Sequence, residues 1–261
     1  MNDDVLPKKA LGQHWLNDST SLEAMCDAAE VKDTDTILEI GPGLGTLTKY
    51  LTKKSKSVIA VEYDKILAAN LSRKVQADNL TVIQSDILEY DFSSIKGDYK
   101  VVANIPYYIT SHLLRILSEL KNPPKRAVLL IQKEVAQRVN AKPGDMSILS
   151  VTAQYYWDVS LGREVLAELF TPPPKVDSQI LILIKRGKPL FADIVAADFF
   201  RLIKAGFAQK RKTLLNTISN GLHIDRDIFT AAAQSVEIDP NRRAQTLSLD
   251  EWHNLYISLN T

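Results

Sequence analysis

Four consecutive residues, Asn104-Ile105-Pro106-Tyr107, put an amide, a rigid turn and an aromatic face directly after the apolar run Val101-Val102-Ala103. These types suit chemistry on an exocyclic amine such as that of adenine. Such an amine is a poor nucleophile, because its lone pair is delocalised into the ring. If the Asn104 side-chain oxygen and a backbone carbonyl accept hydrogen bonds from its two N–H groups, a pyramidal nitrogen with a localised pair is favoured. Pro106 fixes the backbone so that the preceding carbonyl can point into a site. Tyr107 offers a face on which an extruded base stacks. No strong general base is needed when the electrophile is already activated, since alignment then carries the catalysis. Taken alone, the tetrapeptide reads equally as a proline turn with a half-buried tyrosine.

A second constellation lies upstream. Gly41-Pro42-Gly43-Leu44-Gly45 follows the apolar run Thr36-Ile37-Leu38-Glu39-Ile40 and opens a helical stretch, so Gly41 and Gly43 let the backbone turn tightly against a ligand. The spacing is G-x-G-x-G rather than the G-x-G-x-x-G of dinucleotide binders. Glu62 ends the next apolar run, about twenty residues after the glycines, where an acid accepts from a ribose diol. Asp86, in Gln84-Ser85-Asp86, is suited to accept from an adenine amine. Each acid could instead cap a helix. Acids at successive strand ends beside a glycine loop describe a nucleoside pocket, with NAD as the alternative ligand that the glycine spacing disfavours.

The elements that must hold these residues follow from the apolar runs. Strands are expected at residues 36–40, 58–61, 80–83, 101–103 and 127–131, with helices between them at 64–75 and 111–120. Continuous apolar strands alternating with helices predict a parallel sheet covered on both faces. Residues 148–157 and 178–184 read as two further strands, an antiparallel pair at the sheet edge. Beyond them the pattern is helical at 191–208, 213–219, 227–235 and 249–259. Thr20 with Glu23 and Ser248 with Glu251 have the spacing of capping boxes. The boundary falls near Gly187-Lys188-Pro189, giving a domain of residues 1–187 and a small all-helical domain of residues 188–261.

The 261 residues are 45% hydrophobic and 24% charged, as in soluble globular chains. The single cysteine, Cys26, excludes an intramolecular disulfide and reads as core packing on a helix. The acidic start Met1-Asn2-Asp3-Asp4 fits neither a secretory signal nor a transit peptide. No uncharged apolar stretch of about 18 residues occurs. A soluble cytoplasmic protein without a metal is expected. Net charge is only +1, yet cations cluster at Lys8-Lys9, Lys185-Arg186-Gly187-Lys188, Lys210-Arg211-Lys212 and Arg242-Arg243. Singly each is a solvated surface; together they make a phosphate-contacting face.

Eight segments together resemble the KsgA family of rRNA adenine N6-dimethyltransferases. They are Lys9-Ala10-Leu11-Gly12-Gln13-His14-Trp15-Leu16, Glu39 to Thr48, Asn104 to Tyr107, Gln132 to Ala136, Ala141 to Gly144, Phe170-Thr171-Pro172-Pro173-Pro174-Lys175-Val176-Asp177-Ser178, Phe207 to Leu214 and Arg243 to Leu247. The resemblance spans nearly the whole chain. It implies a Rossmann-like class I methyltransferase sheet with an antiparallel edge strand, an S-adenosylmethionine-binding catalytic domain, and a helical domain that grips RNA. It implies a monomer that dimethylates two adjacent adenosines near the 3′ end of small-subunit rRNA, within a pre-ribosomal small subunit. Catalytic roles fall on Asn104, Pro106, Tyr107 and Phe170, the last as a second aromatic wall for the base. Cofactor roles fall on His14, Leu16, Gly41, Gly43, Glu62, Asp86 and Asn104, with the segment from Gly12 to Leu16 closing over the cofactor. RNA roles fall on Lys210, Arg211, Lys212, Arg242 and Arg243. Trp15 departs from the family's usual phenylalanine, Met146-Ser147 from a common Tyr-Gly pair, and Gln245 from a usual glutamate. An Erm-type enzyme of large-subunit rRNA, a non-catalytic assembly factor and a nicotinamide-dependent oxidoreductase stand as alternatives.

Overall fold

The structure, a computed structural model, describes Pro7, residues 11–188 and residues 190–260. Met1 to Asp4, the Lys8-Lys9 cluster, Lys9-Ala10 of the first motif and Pro189 lie outside the described residues. The chain divides into two compact units, one of residues up to Gln137 with Trp157–Lys185, the other of Arg138–Tyr156 with residues from Arg186 onward. The chain's last crossing between the units falls between Lys185 and Arg186, and residues 138–156 group with the helical unit.

The first unit begins with β1 (Trp15–Leu16) and α1 (Ser19–Ala28). Then come β2 (Thr36–Ile40), α2 (Thr46–Lys54), β3 (Ser57–Glu62), α3 (Lys65–Val75), β4 (Leu80–Gln84), β5 (Lys100–Asn104), α4 (Thr110–Glu119) and β6 (Arg126–Gln132). After α5 (Lys133–Val139) and α6 (Ile148–Tyr156) the chain returns as β7 (Trp157–Val165), β8 (Phe170–Thr171) and β9 (Ser178–Lys185). Among the described residues seven strands form one sheet in the order β4-β3-β2-β5-β6-β9-β7. β2 to β6 pair in parallel, and β9 runs antiparallel to both β6 and β7. The runs Val101-Val102-Ala103 and Ala127 to Ile131 are wholly buried, as strands covered on both faces must be. The strand order reverses between β2 and β5, so their carboxyl ends open the crevice in which open α/β sheets bind ligands.

Three local expectations need correction. Residues 148–157 are not a strand: Ile148–Tyr156 is helix α6, and the strand is Trp157–Val165. Ser147 and Ser150 cap each other's backbone N–H at the helix start (Ser147 N to Ser150 Oγ, 2.8 Å; Ser150 N to Ser147 Oγ, 3.2 Å). Val151 and Tyr155, four apart, then bury together in the helical core, and that packing overrides β-branched and aromatic propensity. At α1 the cap is Asp18, which accepts from Ser21 N at 2.8 Å, so Thr20 lies inside the helix. The third correction concerns residues 191–195, which precede a helix rather than start it: Phe191 stacks on His253 with ring centroids 4.2 Å apart, and Val195 N donates to the Tyr256 hydroxyl.

The second unit adds α7 (Ala196–Gly206), α8 (Leu214–Leu222), α9 (Arg226–Ser235) and α10 (Leu249–Asn260) to α6. Their apolar faces meet in a core containing Tyr155, Phe199, Ile218, Phe229 and Trp252. The Ser248–Glu251 capping box is formed: Glu251 N donates to Ser248 Oγ at 3.1 Å and Ser248 N to Glu251 Oε2 at 2.7 Å.

Candidate functional site

A cavity of about 340 Å³ opens at the carboxyl ends of β2 to β5, lined by residues between Leu11 and Ile109. The glycine loop forms one wall. Gly41, Gly43 and Gly45 have φ of 65°, 57° and 81°, the left-handed region in which a side chain is strained. Gly43 is constrained twice, because a Cβ there would also sit 3.3 Å from Trp15 Cδ1 and 3.4 Å from its Nε1. Gly43→Ala is therefore expected to destabilise the fold by about 1–2 kcal/mol, measured by denaturant unfolding. An unchanged midpoint would mean that the loop relaxes freely.

Glu62, the last residue of β3, is buried. Its Oε2 accepts from Gly43 N at 3.0 Å and its Oε1 from Asp64 N at 2.8 Å. Burial pushes its carboxyl above the usual range, while those backbone N–H groups pull it back. The carboxylate thus locks the glycine loop and keeps lone pairs for a ligand diol. Asp86 follows β4 on the cavity wall, its Oδ1 accepting from Leu88 N at 2.9 Å. Glu39, in β2 just before the glycines, also lines the cavity and is 1% exposed. Burial, with Glu62 nearby, pushes its carboxyl up to about 8, so it is mainly neutral at pH 7.

At the other side of the crevice Asn104 ends β5. Its Nδ2 donates to the His14 carbonyl at 3.2 Å, which fixes the amide and leaves Oδ1 to accept, and Asn104 lines the cavity. His14 Nδ1 donates to Pro172 O at 2.7 Å, and its ring lies nearly parallel to that of Tyr107, with centroids 6.2 Å apart. The Tyr107 hydroxyl bonds Ser178 Oγ at 2.8 Å, holding the half-buried ring at the cavity. Pro106, with φ −57° and ψ 134°, turns the chain from β5 into the 3₁₀ turn Tyr107–Ile109. Pairing of β1 with β8 holds the covering segment, with Leu16 opposite Phe170, and Leu16 forms part of the cavity wall.

The structure therefore gathers His14, Leu16, Gly41, Gly43, Glu62, Asp86, Asn104, Pro106 and Tyr107 around one cavity. It does not bring Phe170 there. Phe170 is 2% exposed and packs in the core with Leu16 and Val165, outside the cavity's lining residues. Lys210, Arg211 and Lys212 are exposed between α7 and α8, and Arg243 is exposed between α9 and α10. Arg242 is engaged within the protein: its guanidinium grips both Glu251 oxygens and donates to Thr246 O and Oγ1. That ion pair holds the start of α10. Sequence reasoning missed Glu39, Trp15 and Tyr108, the last 68% exposed at the cavity. An acid inside a buried strand was a readable signal for Glu39, Trp15 was marked only as a departure from phenylalanine, and nothing local distinguished Tyr108.

Residues 6–261 match the family model described as ribosomal RNA adenine dimethylase. A protein of Dehalococcoides mccartyi named ribosomal RNA small subunit methyltransferase A is 43% identical over 252 residues, covering 95% of this chain and 87% of that protein. Its namesake in Bacillus cytotoxicus is 40% identical, covering 94% and 88%. Among solved structures, a dimethyladenosine transferase from Plasmodium falciparum superposes with a TM-score of 0.83 at 27% identity, over 95% of this chain and 98% of that one. The 23S rRNA methyltransferase ErmE superposes with a TM-score of 0.78 at 25% identity, over 95% and 100%.

Proposed function

Because the chain belongs to the ribosomal RNA adenine dimethylase family, we infer that it is an S-adenosylmethionine-dependent enzyme that dimethylates adenine in small-subunit rRNA. Its targets are the N6 amines of two adjacent adenosines near the 3′ end. It acts as a cytoplasmic monomer on a pre-ribosomal small subunit. The choice of small over large subunit rests on the 40–43% identity to small-subunit methyltransferases against 25% to ErmE. The observation that carries the chemistry is Asn104, a cavity-lining residue whose amide nitrogen is tied to His14 O, leaving its oxygen to accept.

The cavity's polar groups fit the cofactor. Glu62 accepts from the ribose hydroxyls, and Asp86 accepts from the adenine amine of the same molecule. In addition, a donor and an acceptor buried at the glycine loop, Trp15 Nε1 and Glu39 Oε2, lack partners among the described residues. When bound, the cofactor supplies a methyl group already activated on a sulfonium. Asn104 Oδ1 and the Ile105 carbonyl accept from the target amine and localise its lone pair. Tyr107, fixed by Ser178, presents a face to the extruded base. Asn104 does not take the proton; the methylated amine is a strong acid and releases it to water. After the first transfer one N–H remains, and either acceptor orients it for the second.

The helical unit supplies phosphate contacts through Lys210, Arg211, Lys212 and Arg243, with Arg242 kept for structure. Reversing Lys210, Arg211 and Lys212 to glutamate is expected to weaken RNA binding. It should also lower the slope of log K against log salt by about 0.7–0.9 for each phosphate no longer neutralised. An unaltered slope returns these residues to the solvated surface. The reading as a whole is tested by transfer of label from S-adenosylmethionine to small subunits from a strain lacking this activity, beside large-subunit RNA. Label confined to the small subunit supports it, and label in large-subunit RNA contradicts it.

A further inference from the structure

Trp15 stands where the resembling family usually carries phenylalanine, and the structure gives its nitrogen a place phenylalanine could not fill. The indole lies on the cavity wall against Gly43, and its Nε1 is fully buried with no acceptor among the described residues. A buried donor without a partner is costly, so its position calls for an acceptor from elsewhere. On the reading proposed above, the ligand's parts are already assigned around the cavity. Asp86 and Glu62 take the nucleoside, and Asn104 faces the transferred methyl. The sulfonium bears one more substituent, the amino-acid chain. Of the cavity's lining residues, Trp15 and Glu39, beside Gly43, are the ones that carry buried polar atoms without partners among the described residues.

Trp15 Nε1 is a pure donor, while Glu39 Oε2 belongs to a mainly neutral carboxyl beside the Thr48 hydroxyl. An indole N–H can only donate, so it matches a carboxylate and not an ammonium. We propose that Trp15 Nε1–H donates to the carboxylate of the methionine end of S-adenosylmethionine. Trp15 is thus a specificity residue that distinguishes the cofactor from nucleosides lacking the amino acid. The proposal rests on the cofactor reading but adds a hydrogen bond to it.

Two probes separate this hydrogen bond from general packing: S-adenosylhomocysteine, and 5′-methylthioadenosine, which has the nucleoside and sulfur but no amino-acid chain. Trp15→Phe keeps an aromatic ring and removes the donor. It should weaken S-adenosylhomocysteine binding by about tenfold or more, as loss of a hydrogen bond to a charged group does, and leave 5′-methylthioadenosine unchanged. In wild-type protein the Trp15 indole N–H resonance, identified by its absence in the variant, should move downfield with S-adenosylhomocysteine only. The other two indoles, in Trp157 and Trp252, are 1% and 0% exposed and serve as references. Equal weakening of both ligands, or an indole resonance that responds alike to both, would overturn the proposal. Wild-type protein that binds neither ligand would overturn the cofactor reading itself, and the proposal with it.

Discussion

Asn104→Ala should cut methyl transfer by about a hundredfold to a thousandfold, the scale of removing one preorganised group aimed at the reacting atoms. S-adenosylhomocysteine affinity should change by far less. The reason is the division of labour in the amide. Nδ2 is tied to His14 O, so Oδ1 is held where it accepts from the target amine without rearranging. Alanine removes that acceptor and also releases the segment carrying His14. Asn104→Asp separates the two effects, because it keeps an acceptor oxygen while losing the donor to His14; it should retain more activity than the alanine variant. Single-turnover transfer and calorimetric affinity measure both quantities. An alanine variant within tenfold of wild type would remove Asn104 from the chemistry.

Glu62→Ala should lower S-adenosylhomocysteine affinity by about a hundredfold, since it strips two backbone N–H groups of charged partners as well as the ribose of its acceptor. The Gly43 and Asp64 amides would be left facing a hole, and the loop that shapes the cavity would loosen. Glu62→Gln should be nearly as damaging: its amide offers one acceptor oxygen where two N–H donors converge on two. Burial raises the Glu62 carboxyl, so protonation as pH falls removes the ribose acceptor at a higher pH than for an exposed glutamate. Affinity should accordingly decline in mild acid in the wild type and not in the alanine variant. A wild-type-like affinity in Glu62→Ala, measured on protein with an intact melting transition, would exclude the ribose assignment.

The sheet and its ligand edge were legible because strands buried on both faces write themselves as unbroken apolar runs. Val101 to Ala103 and Ala127 to Ile131 leave no other reading, and polar residues directly after such runs must lie at the crevice. Residues 148–157 misled because Val151, Thr152, Tyr155 and Tyr156 are strand formers by propensity. A reciprocal serine cap and a shared apolar face decided for helix. The edge strand was missed because Trp157-Asp158-Val159-Ser160-Leu161-Gly162 carries polar residues that suit an outer strand but break the apolar run that marks a buried one. Two capping boxes had the same spacing and only Ser248–Glu251 formed, since Asp18 lay two residues ahead of Thr20 with a shorter, charged acceptor. Arg242 and Phe170 show the limit of local reading. Whether a cation meets phosphate or Glu251, and whether a ring meets a base or the core, depends on partners that sequence spacing does not reveal. Trp15 was visible in the sequence only as a departure from phenylalanine, and Glu39 only as part of a motif, because their significance lies in atoms left without partners in the folded cavity.

The central claim is tested most directly by mapping the product. Small subunits lacking the modification would be incubated with the protein and S-adenosylmethionine, the rRNA digested, and the 3′-terminal fragment sequenced by mass spectrometry. The account predicts two adjacent N6,N6-dimethyladenosines there and none in large-subunit rRNA. Monomethyladenosine as the end product, or methylation at any other position, would contradict it.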